Sequence, residues 1–338
     1  MPRETTRRED GHELADLTAA DHWPRGISRT GGFRLPGTPL CFPGCERPGL
    51  LFLGDMDQPA PRRGQRVLAT PFTAAALGAK ERGLDALHLG FGRKIRLGRM
   101  DIRLLPAGRG PGSALLEVGL LERRIVYCGG VRLGRPFLGP GAEAASCDLL
   151  LLDARVADPR PPSARRAGRQ LADWAAASLT GGRPVIACGN LTAALEAARS
   201  LMDAGIPLRA FRPLYEMMCR LEGHDFPLAG LHRLEEELPD GEVVLHAAGL
   251  WPQTRAALTA GLSVAHAGPG RACPPWAAQT FRLGEGEDRP GLVTFVRETG
   301  AAEVALGPGC DDETASAIRK TGVRVHRPPR PTQIPLPL

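Results

Sequence analysis

Pro106-Ala107-Gly108-Arg109-Gly110-Pro111-Gly112-Ser113-Ala114 is the most informative stretch of this 338-residue chain. Its glycines and prolines are typical of a loop, and the apolar segments on either side, 102–105 and 114–118, are typical of strands. A second short turn, Cys128-Gly129-Gly130, follows another strand-like segment. We therefore predict strands joined through glycine-rich turns, with a permanently charged residue, Arg109, at the centre of one turn.

The spacing of apolar segments divides the chain into two regions. Short apolar runs alternate with turns between about 33 and 155, and strands alternate with helices after a Pro/Arg-rich loop at 156–168. The predicted strands are 50–53, 86–89, 102–105, 115–118, 125–127, 149–152, 184–188, 206–208, 243–245, 262–265, 303–306 and 323–326. The predicted helices follow Thr70-Pro71 and Asn190, or span 169–179, 252–258, 290–299 and 311–320.

Charge and composition favour acidic partners. The net charge is +6 and the isoelectric point about 9.1, a balance typical of proteins that bind nucleic acid, although a solvated surface explains the arginines equally well. The densest groups are Arg3/Arg7/Arg8, Arg62/Arg63/Arg66, Arg160/Arg165/Arg166/Arg169 and Arg324/Arg327/Arg330. No apolar run has the length of a membrane span and the first residues lack a secretory h-region, so we predict a cytoplasmic protein.

Several segments, taken in order, resemble the metallo-β-lactamase fold with a β-CASP insertion. They are Leu35–Leu40, Ala69-Thr70-Pro71, Leu105–Ala114, Ile125–Gly130 and Cys147–Asp153, and the resemblance covers about residues 33–328. The group that the chain resembles most is the bacterial exonuclease-like proteins often encoded beside DNA ligase genes. The alternative within the same family is a resemblance to mRNA 3′-end-processing factors.

The resemblance implies an α/β fold with a specific architecture. It is an αββα sandwich of two mixed sheets with helices outside, and an α/β β-CASP-like domain inserted into it. We expect the sandwich over 33–178 plus 277–328 and the insertion over 179–276. The remaining segments are predicted to be a flexible arm at 1–32 and a Pro-rich tail at 329–338.

The family hydrolyses phosphodiesters with two zinc ions, which need histidine and aspartate ligands at strand ends. In this chain the expected ligand positions carry other residues. The signature H-x-H-x-D-H loop falls on Gly54, Met56, Gln58 and Pro59, and the later ligand positions fall on Arg109, Gly130, Gly286 and Pro308. A cation within a few Å of a dication costs several kcal/mol even at an effective dielectric constant of about 20. We therefore predict that zinc, the family's cofactor, is absent and that no other cofactor replaces it.

Two local alternatives remain open at the sequence level. Asp55, Asp57 and Asp153 could form a relocated carboxylate site for Mg²⁺ or Mn²⁺, or they could be solvated and capping carboxylates. Arg109, with the backbone N–H groups of the surrounding glycines, could hold a phosphate. The alternative for Arg109 is a surface or ion-paired residue, with Asp153 as a candidate partner.

The sequence thus predicts a catalytically inactive homologue that serves as a nucleic-acid-binding or scaffolding subunit. Its expected partners are DNA or RNA and, by the resemblance, an active nuclease paralogue or another repair or processing protein. Two other functions stay open. One is an active metal-dependent exonuclease or hydrolase with a rebuilt carboxylate site, and the other is a protein-interaction module that does not bind nucleic acid.

Overall fold

The structure is a computed structural model that describes residues 33–35, 37–45, 48–134, 136–157, 160–224, 226, 229–235, 240–250, 262–270 and 272–327. Within these residues the strands form three sheets, which we call A, B and C. The predicted arm at 1–32, the predicted helix at 252–258 and the predicted tail at 329–338 lie outside the described residues.

Sheet A is a parallel sheet with the strand order β1-β2-β3-β4. Its strands are β1 (Leu40–Cys41), β2 (Leu50–Phe52), β3 (Arg66–Ala69) and β4 (Asp85–His88). The prediction of two mixed sheets is wrong for this one. Its strands are joined by long connections rather than hairpin turns, and long connections allow parallel pairing.

Sheet B is mixed. It contains β5 (Lys94–Leu97), β6 (Met100–Pro106), β7 (Ala114–Leu120), β8 (Arg123–Cys128), β9 (Leu149–Leu152), β16 (Glu303–Leu306) and β17 (Arg324–His326), in the order β17-β16-β9-β8-β7-β6-β5. The strands β5 to β8 pair antiparallel through short turns, whereas β8, β9, β16 and β17 pair parallel. The chain leaves this sheet after β9 and returns to it at β16.

Sheet C is parallel and lies between those two points in the sequence. Its strands are β10 (Arg183–Cys188), β11 (Leu208–Ala210), β12 (Leu231–Arg233), β13 (Val243–Ala247), β14 (Leu262–Gly268) and β15 (Gln279–Arg282), in the order β12-β11-β13-β10-β14-β15. The helices are α1 (Pro71–Ala76), α2 (Ala164–Leu179), α3 (Leu191–Asp203), α4 (Arg212–Arg220), α5 (Arg289–Thr299) and α6 (Asp312–Arg319).

The alternating directions of successive side chains along the strands explain the layers around sheets A and B. Phe52 of β2 and Leu104 of β6 share one apolar core between the two sheets. The neighbouring Leu51 points the other way, into a core with α1, and Leu105 points into a core with α5 and α6. Successive side chains of a strand face opposite sides, so each sheet has one face toward the other sheet and one toward helices. The result is a helix–sheet–sheet–helix stack.

Helices α2, α3 and α4 cover one face of sheet C. Their alanines and leucines form one core with the inward residues of the sheet, for example Leu195 of α3 with Ile186 of β10. The predicted first domain includes α2, but this helix packs on sheet C. The predicted insertion ends at 276, but β15 extends sheet C to Arg282. The division into domains itself stays a prediction.

Local capping signals explain where most helices begin. Thr70 and Asn190 accept hydrogen bonds from the third residue of α1 and α3, as the sequence predicts. Helix α2 begins at Ala164 rather than 169, because the Ser163 side chain caps it. Helix α4 is absent from the prediction. Its N-cap is Phe211, which makes no side-chain capping bond and gives no sequence signal.

Candidate functional site

The loop of residues 106–114 is held in one conformation by its own hydrogen bonds. The Ser113 Oγ accepts from the backbone N–H groups of Arg109 at 3.0 Å and Gly110 at 3.1 Å, and it donates to the Gly110 carbonyl at 2.8 Å. At Gly108, φ is 73°, and a Cβ would lie 2.1 Å from the carbonyl oxygen of Arg132. Only glycine fits at position 108, so the backbone that leads into Arg109 is held in one conformation.

Contacts with two helices fix the far side of the same loop. The hydroxyls of Thr70 and Thr73, at the start of α1, both donate to the Gly112 carbonyl, at 2.8 and 3.0 Å. A Cβ at Gly110 would lie 2.8 Å from the methyl group of Thr192, at the start of α3. The loop therefore lies between the sandwich helix α1 and the sheet C helix α3.

The Arg109 guanidinium binds two aspartates of the segment that follows β2. Its Nη1 lies 2.8 Å from Asp55 Oδ2 and its Nη2 lies 3.4 Å from Asp57 Oδ2. The side chains are 20%, 7% and 5% exposed for Arg109, Asp55 and Asp57, so the pairs are largely shielded from water. Burial lowers the pKa of Arg109, but the two carboxylates outweigh it, and the pKa is raised above its ordinary value. We call these three residues the Arg109 cluster.

Asp57 also caps helix α3 from outside the helix. Its Oδ1 accepts from the backbone N–H groups of Leu191 at 2.8 Å and Thr192 at 3.2 Å, and its Oδ2 accepts from the Thr192 hydroxyl at 2.6 Å. Asn190 accepts from the third N–H group of the helix, at 2.7 Å. Burial raises the pKa of the Asp57 carboxyl, although Arg109 and Thr192 act in the opposite direction. A carboxylate at this end of a helix also complements the helix dipole.

The other residues of the 54–59 segment have structural contacts of their own. Gln58 Oε1 accepts from the Gly54 N–H group at 2.8 Å, and Asp55 Oδ1 accepts from the Asp57 N–H group at 2.9 Å. Met56 is buried in the same core as α3, whereas Pro59 is exposed. The three buried positions of this segment, Gly54, Asp55 and Met56, thus each have an apolar or a hydrogen-bonding contact.

Gly130 lies directly under Arg109. A Cβ at Gly130 would lie 3.1 Å from Arg109 Cδ. An aspartate, which the resemblance leads us to expect at this position, would therefore crowd the arginine stem. Glycine at position 130 and arginine at position 109 are therefore sterically linked, because the absence of a side chain at Gly130 leaves the space that the Arg109 stem occupies.

Asp153 is held by a separate contact. Its Oδ1 accepts from the Gly309 N–H group at 2.9 Å, and burial raises its pKa to about 6. Gly286 is half-buried and Pro308 is exposed. The structure thus joins Asp55 and Asp57 with Arg109 and gives Asp153 a backbone partner instead. In the part of the chain that the structure describes, no group of three or more His, Cys, Asp and Glu side chains is arranged to hold a metal ion.

Glu196 of α3 contacts Gly284, which follows β15, and no sequence pattern predicts this contact. It is 1% exposed and accepts from the Gly284 N–H group at 2.8 Å, and burial raises its pKa. The Gly284 carbonyl accepts a hydrogen bond from the Asn190 side-chain amide at 3.2 Å. A glutamate in the middle of a helix is usually read as solvent-exposed, which is why sequence analysis misses this contact.

His246, His266 and Cys128 are buried. His246 and His266 both lie opposite Ala187 in sheet C, and burial lowers the pKa of each imidazole. Burial raises the pKa of the Cys128 thiol far above its ordinary value, so it is not an activated nucleophile. Among the described residues, no helix has the length and apolar character needed to cross a membrane.

Comparisons with known proteins support the fold only. No family model and no curated protein sequence matches this chain. Among solved structures, the chain is similar to a protein of unknown function from Enterococcus faecalis V583, with a TM-score of 0.55 and 10% identity, over 78% of this chain and 77% of that one. The two share an α/β fold, and at this identity the likeness says nothing about activity.

Proposed function

We propose that this chain is a non-catalytic member of the metallo-β-lactamase/β-CASP group, in which the Arg109 cluster stands where the metal centre would be. Four features support this proposal: the helix–sheet–sheet–helix stack, the parallel sheet C inserted between β9 and β16, the glycine turns, and the order of the matching segments. The observation that carries it is the pair of contacts from Arg109 to Asp55 and Asp57.

The residues at this site do not suit a zinc pair. Both carboxylates that face the loop are engaged by a guanidinium that cannot lose its proton near neutral pH. A unit cation about 4 Å from a dication would be repelled by about 8 kcal/mol at an effective dielectric constant of about 20. The aspartates would have to exchange Arg109 for the metal, and Asp57 would also have to release the start of α3. We therefore derive no hydrolytic step for this protein.

The same contacts argue against a rebuilt carboxylate site. A Mg²⁺ or Mn²⁺ site needs several oxygen ligands free to face the ion. Here Asp55 and Asp57 face a cation of the protein itself, and Asp153 accepts from the backbone of Gly309. The role that we propose instead is a nucleic-acid-binding or scaffolding subunit, supported by the net charge of +6.

A nuclease assay tests the proposal. We expect no cleavage of labelled single-stranded DNA or RNA in the presence of Zn²⁺ or Mn²⁺, and salt-sensitive binding of the same oligonucleotides. Chelator-sensitive cleavage that is lost in Asp55→Asn would contradict the non-catalytic assignment. Absence of binding even at low salt would contradict the nucleic-acid role and favour a protein-interaction module.

A further inference from the structure

The first half of α2 presents an exposed arginine face away from the Arg109 cluster. Arg166, Arg169, Gln170 and Asp173 are all exposed. Arg166 is three and four residues before Arg169 and Gln170, and Asp173 is three and four residues after Gln170 and Arg169, so the four lie along one side of the helix. Arg166 and Arg169 make no ion pair within the residues that the structure describes, and their charges face solvent.

Two further arginines extend this basic surface. Arg160 is 87% exposed and lies 3.5 Å from Asp288, and Arg165 lies over the Phe137 ring at 5.4 Å from its centroid. Their positions are therefore restrained, although both residues are exposed. The surface carries four arginines within ten residues of chain, which is a local positive potential that attracts polyanions.

A cavity of about 430 Å³ opens beside the arginine face, between α2 and β15. Gln170 and Asp173 line it from the helix, and Gln279, Thr280 and Phe281 line it from the strand. The helix face is thus continuous with the cavity, because Gln170 lies one turn beyond Arg166 and Asp173 lies one turn beyond Arg169. Strand β15 is the last strand of sheet C in the described part of the chain.

The charges divide this surface into two parts with different preferences. The α2 arginines lie outside the cavity and attract phosphate, whereas Arg282 lines the cavity and its charge is paired with Glu285. Inside, the Asp173 carboxylate repels phosphate and accepts a hydrogen bond from an amino group. The side-chain amides of Gln170 and Gln279 both donate and accept, and Phe281 supplies an apolar wall. A nucleotide has two matching parts, a negatively charged phosphate in its backbone and a base with apolar faces and hydrogen-bonding edges.

We propose that single-stranded nucleic acid binds here, with successive phosphates on the α2 arginines and one base in the cavity between α2 and β15. The inference rests on the proposed nucleic-acid role and deepens it by giving that role a site away from the Arg109 cluster. A duplex does not fit, since its bases are paired and stacked. Single strands are recognised through bases that can be turned out of the strand.

The test compares two variants that change charge equally. Arg166→Glu/Arg169→Glu removes the unpaired arginines of α2, and Arg62→Glu/Arg63→Glu reverses two exposed arginines elsewhere. Binding of a fluorescein-labelled single-stranded RNA and a DNA of the same sequence is followed by anisotropy over a range of salt. We expect the α2 variant to bind at least about tenfold more weakly and to lower the slope of log K against log salt by about 1.4, as loss of two phosphate contacts requires.

The control variant Arg62→Glu/Arg63→Glu should bind close to wild type. If the wild type binds and the α2 variant binds equally well, or if both variants lose affinity equally, this site is refuted while the nucleic-acid role stands. If the wild type does not bind at all, the proposed nucleic-acid role fails and the site fails with it. If an acidic peptide binds the wild type and competes with the oligonucleotide at equal affinity, the surface is a general anion site and the base-binding claim is wrong.

Gln279→Trp tests the cavity itself. Gln279 is exposed on an edge strand, so a tryptophan there is compatible with the sheet and fills the cavity. We expect lower affinity for the oligonucleotide and unchanged affinity for a matching abasic strand, which has phosphates but no bases. Equal loss for both strands, or for neither, would show that no base enters the cavity.

Discussion

Arg109 carries a charge that is kept inside the protein, and its cost has to be offset by neighbours. Taking a cation out of water is unfavourable by several kcal/mol unless it is paired and hydrogen-bonded. Asp55 and Asp57 provide that pairing, and Gly130 provides the space for the stem. Sequence analysis identified the cation but considered Asp153 as its partner. In the structure Arg109 binds Asp55 and Asp57, and Asp153 accepts from the Gly309 N–H group.

Replacement of Arg109 by methionine should destabilise the protein strongly. The substitution keeps much of the side-chain volume but leaves two buried carboxylates without their cation, which costs about 3–5 kcal/mol. The free energy of unfolding in denaturant measures the effect. Arg96→Met is the matched control. Its ion pair with Asp101 is exposed and screened by water, so we expect a much smaller loss than for Arg109→Met. Similar losses for both variants would show that the Arg109 cluster is not a buried pair.

Asp153 should make the stability of the protein depend on pH. Its pKa in the folded state is about 6, above the ordinary value of 3.8, so the folded protein holds this proton more tightly than the unfolded chain does. The contribution of this proton to stability is complete below the unfolded pKa and is lost as pH rises through the folded pKa.

Asp153→Asn removes this titration and keeps an oxygen that can accept from the Gly309 N–H group. Between pH 4.5 and pH 7.5 we expect the stability of the asparagine variant to improve relative to wild type by about 2 kcal/mol. Parallel pH profiles for the two proteins would mean that Asp153 is not shielded from water.

At the scale of elements, the Arg109 cluster connects three segments that are distant in sequence. The 54–59 segment follows β2, the 106–114 loop joins β6 to β7, and α3 belongs to sheet C. Asp57 belongs to two of these contacts at once, since it binds Arg109 and caps α3. The caps at Thr70 and Asn190 were predictable because each is a local pattern of a few residues. The cap from Asp57 was not, because the two partners are more than a hundred residues apart.

Asp57→Ala should loosen the start of α3 more than loss of the local cap does. It removes the acceptor of two backbone N–H groups and one partner of Arg109, whereas Asn190→Ala removes one capping bond worth about 1 kcal/mol. Hydrogen exchange at the Leu191 and Thr192 amides measures the difference directly. Exchange that is no faster in Asp57→Ala than in Asn190→Ala would contradict the dual role of Asp57.

At the scale of the whole molecule, sheets A and B share one apolar core, and sheet C packs with α2, α3 and α4 in another. The sequence was sufficient to predict most strands of sheet B, because their apolar residues occur in short runs bounded by glycine and proline. It was insufficient for β5, whose residues Lys94–Leu97 alternate between exposed and half-buried and carry two charges in four residues. It also did not predict that α2 packs on sheet C, because packing partners are a property of the folded chain and not of helix periodicity.

The central claim of the proposed function is that a cation of the protein occupies the position that corresponds to the metal centre in the metallo-β-lactamase group that the chain resembles. The most direct test is the metal content of the purified full-length protein after incubation with Zn²⁺ and Mn²⁺ and removal of free metal, measured by plasma mass spectrometry. We predict a content far below one ion per chain and no change in the unfolding midpoint when a chelator is added. About two ions per chain, as in the active enzymes, together with a midpoint that falls on chelation, would contradict the account.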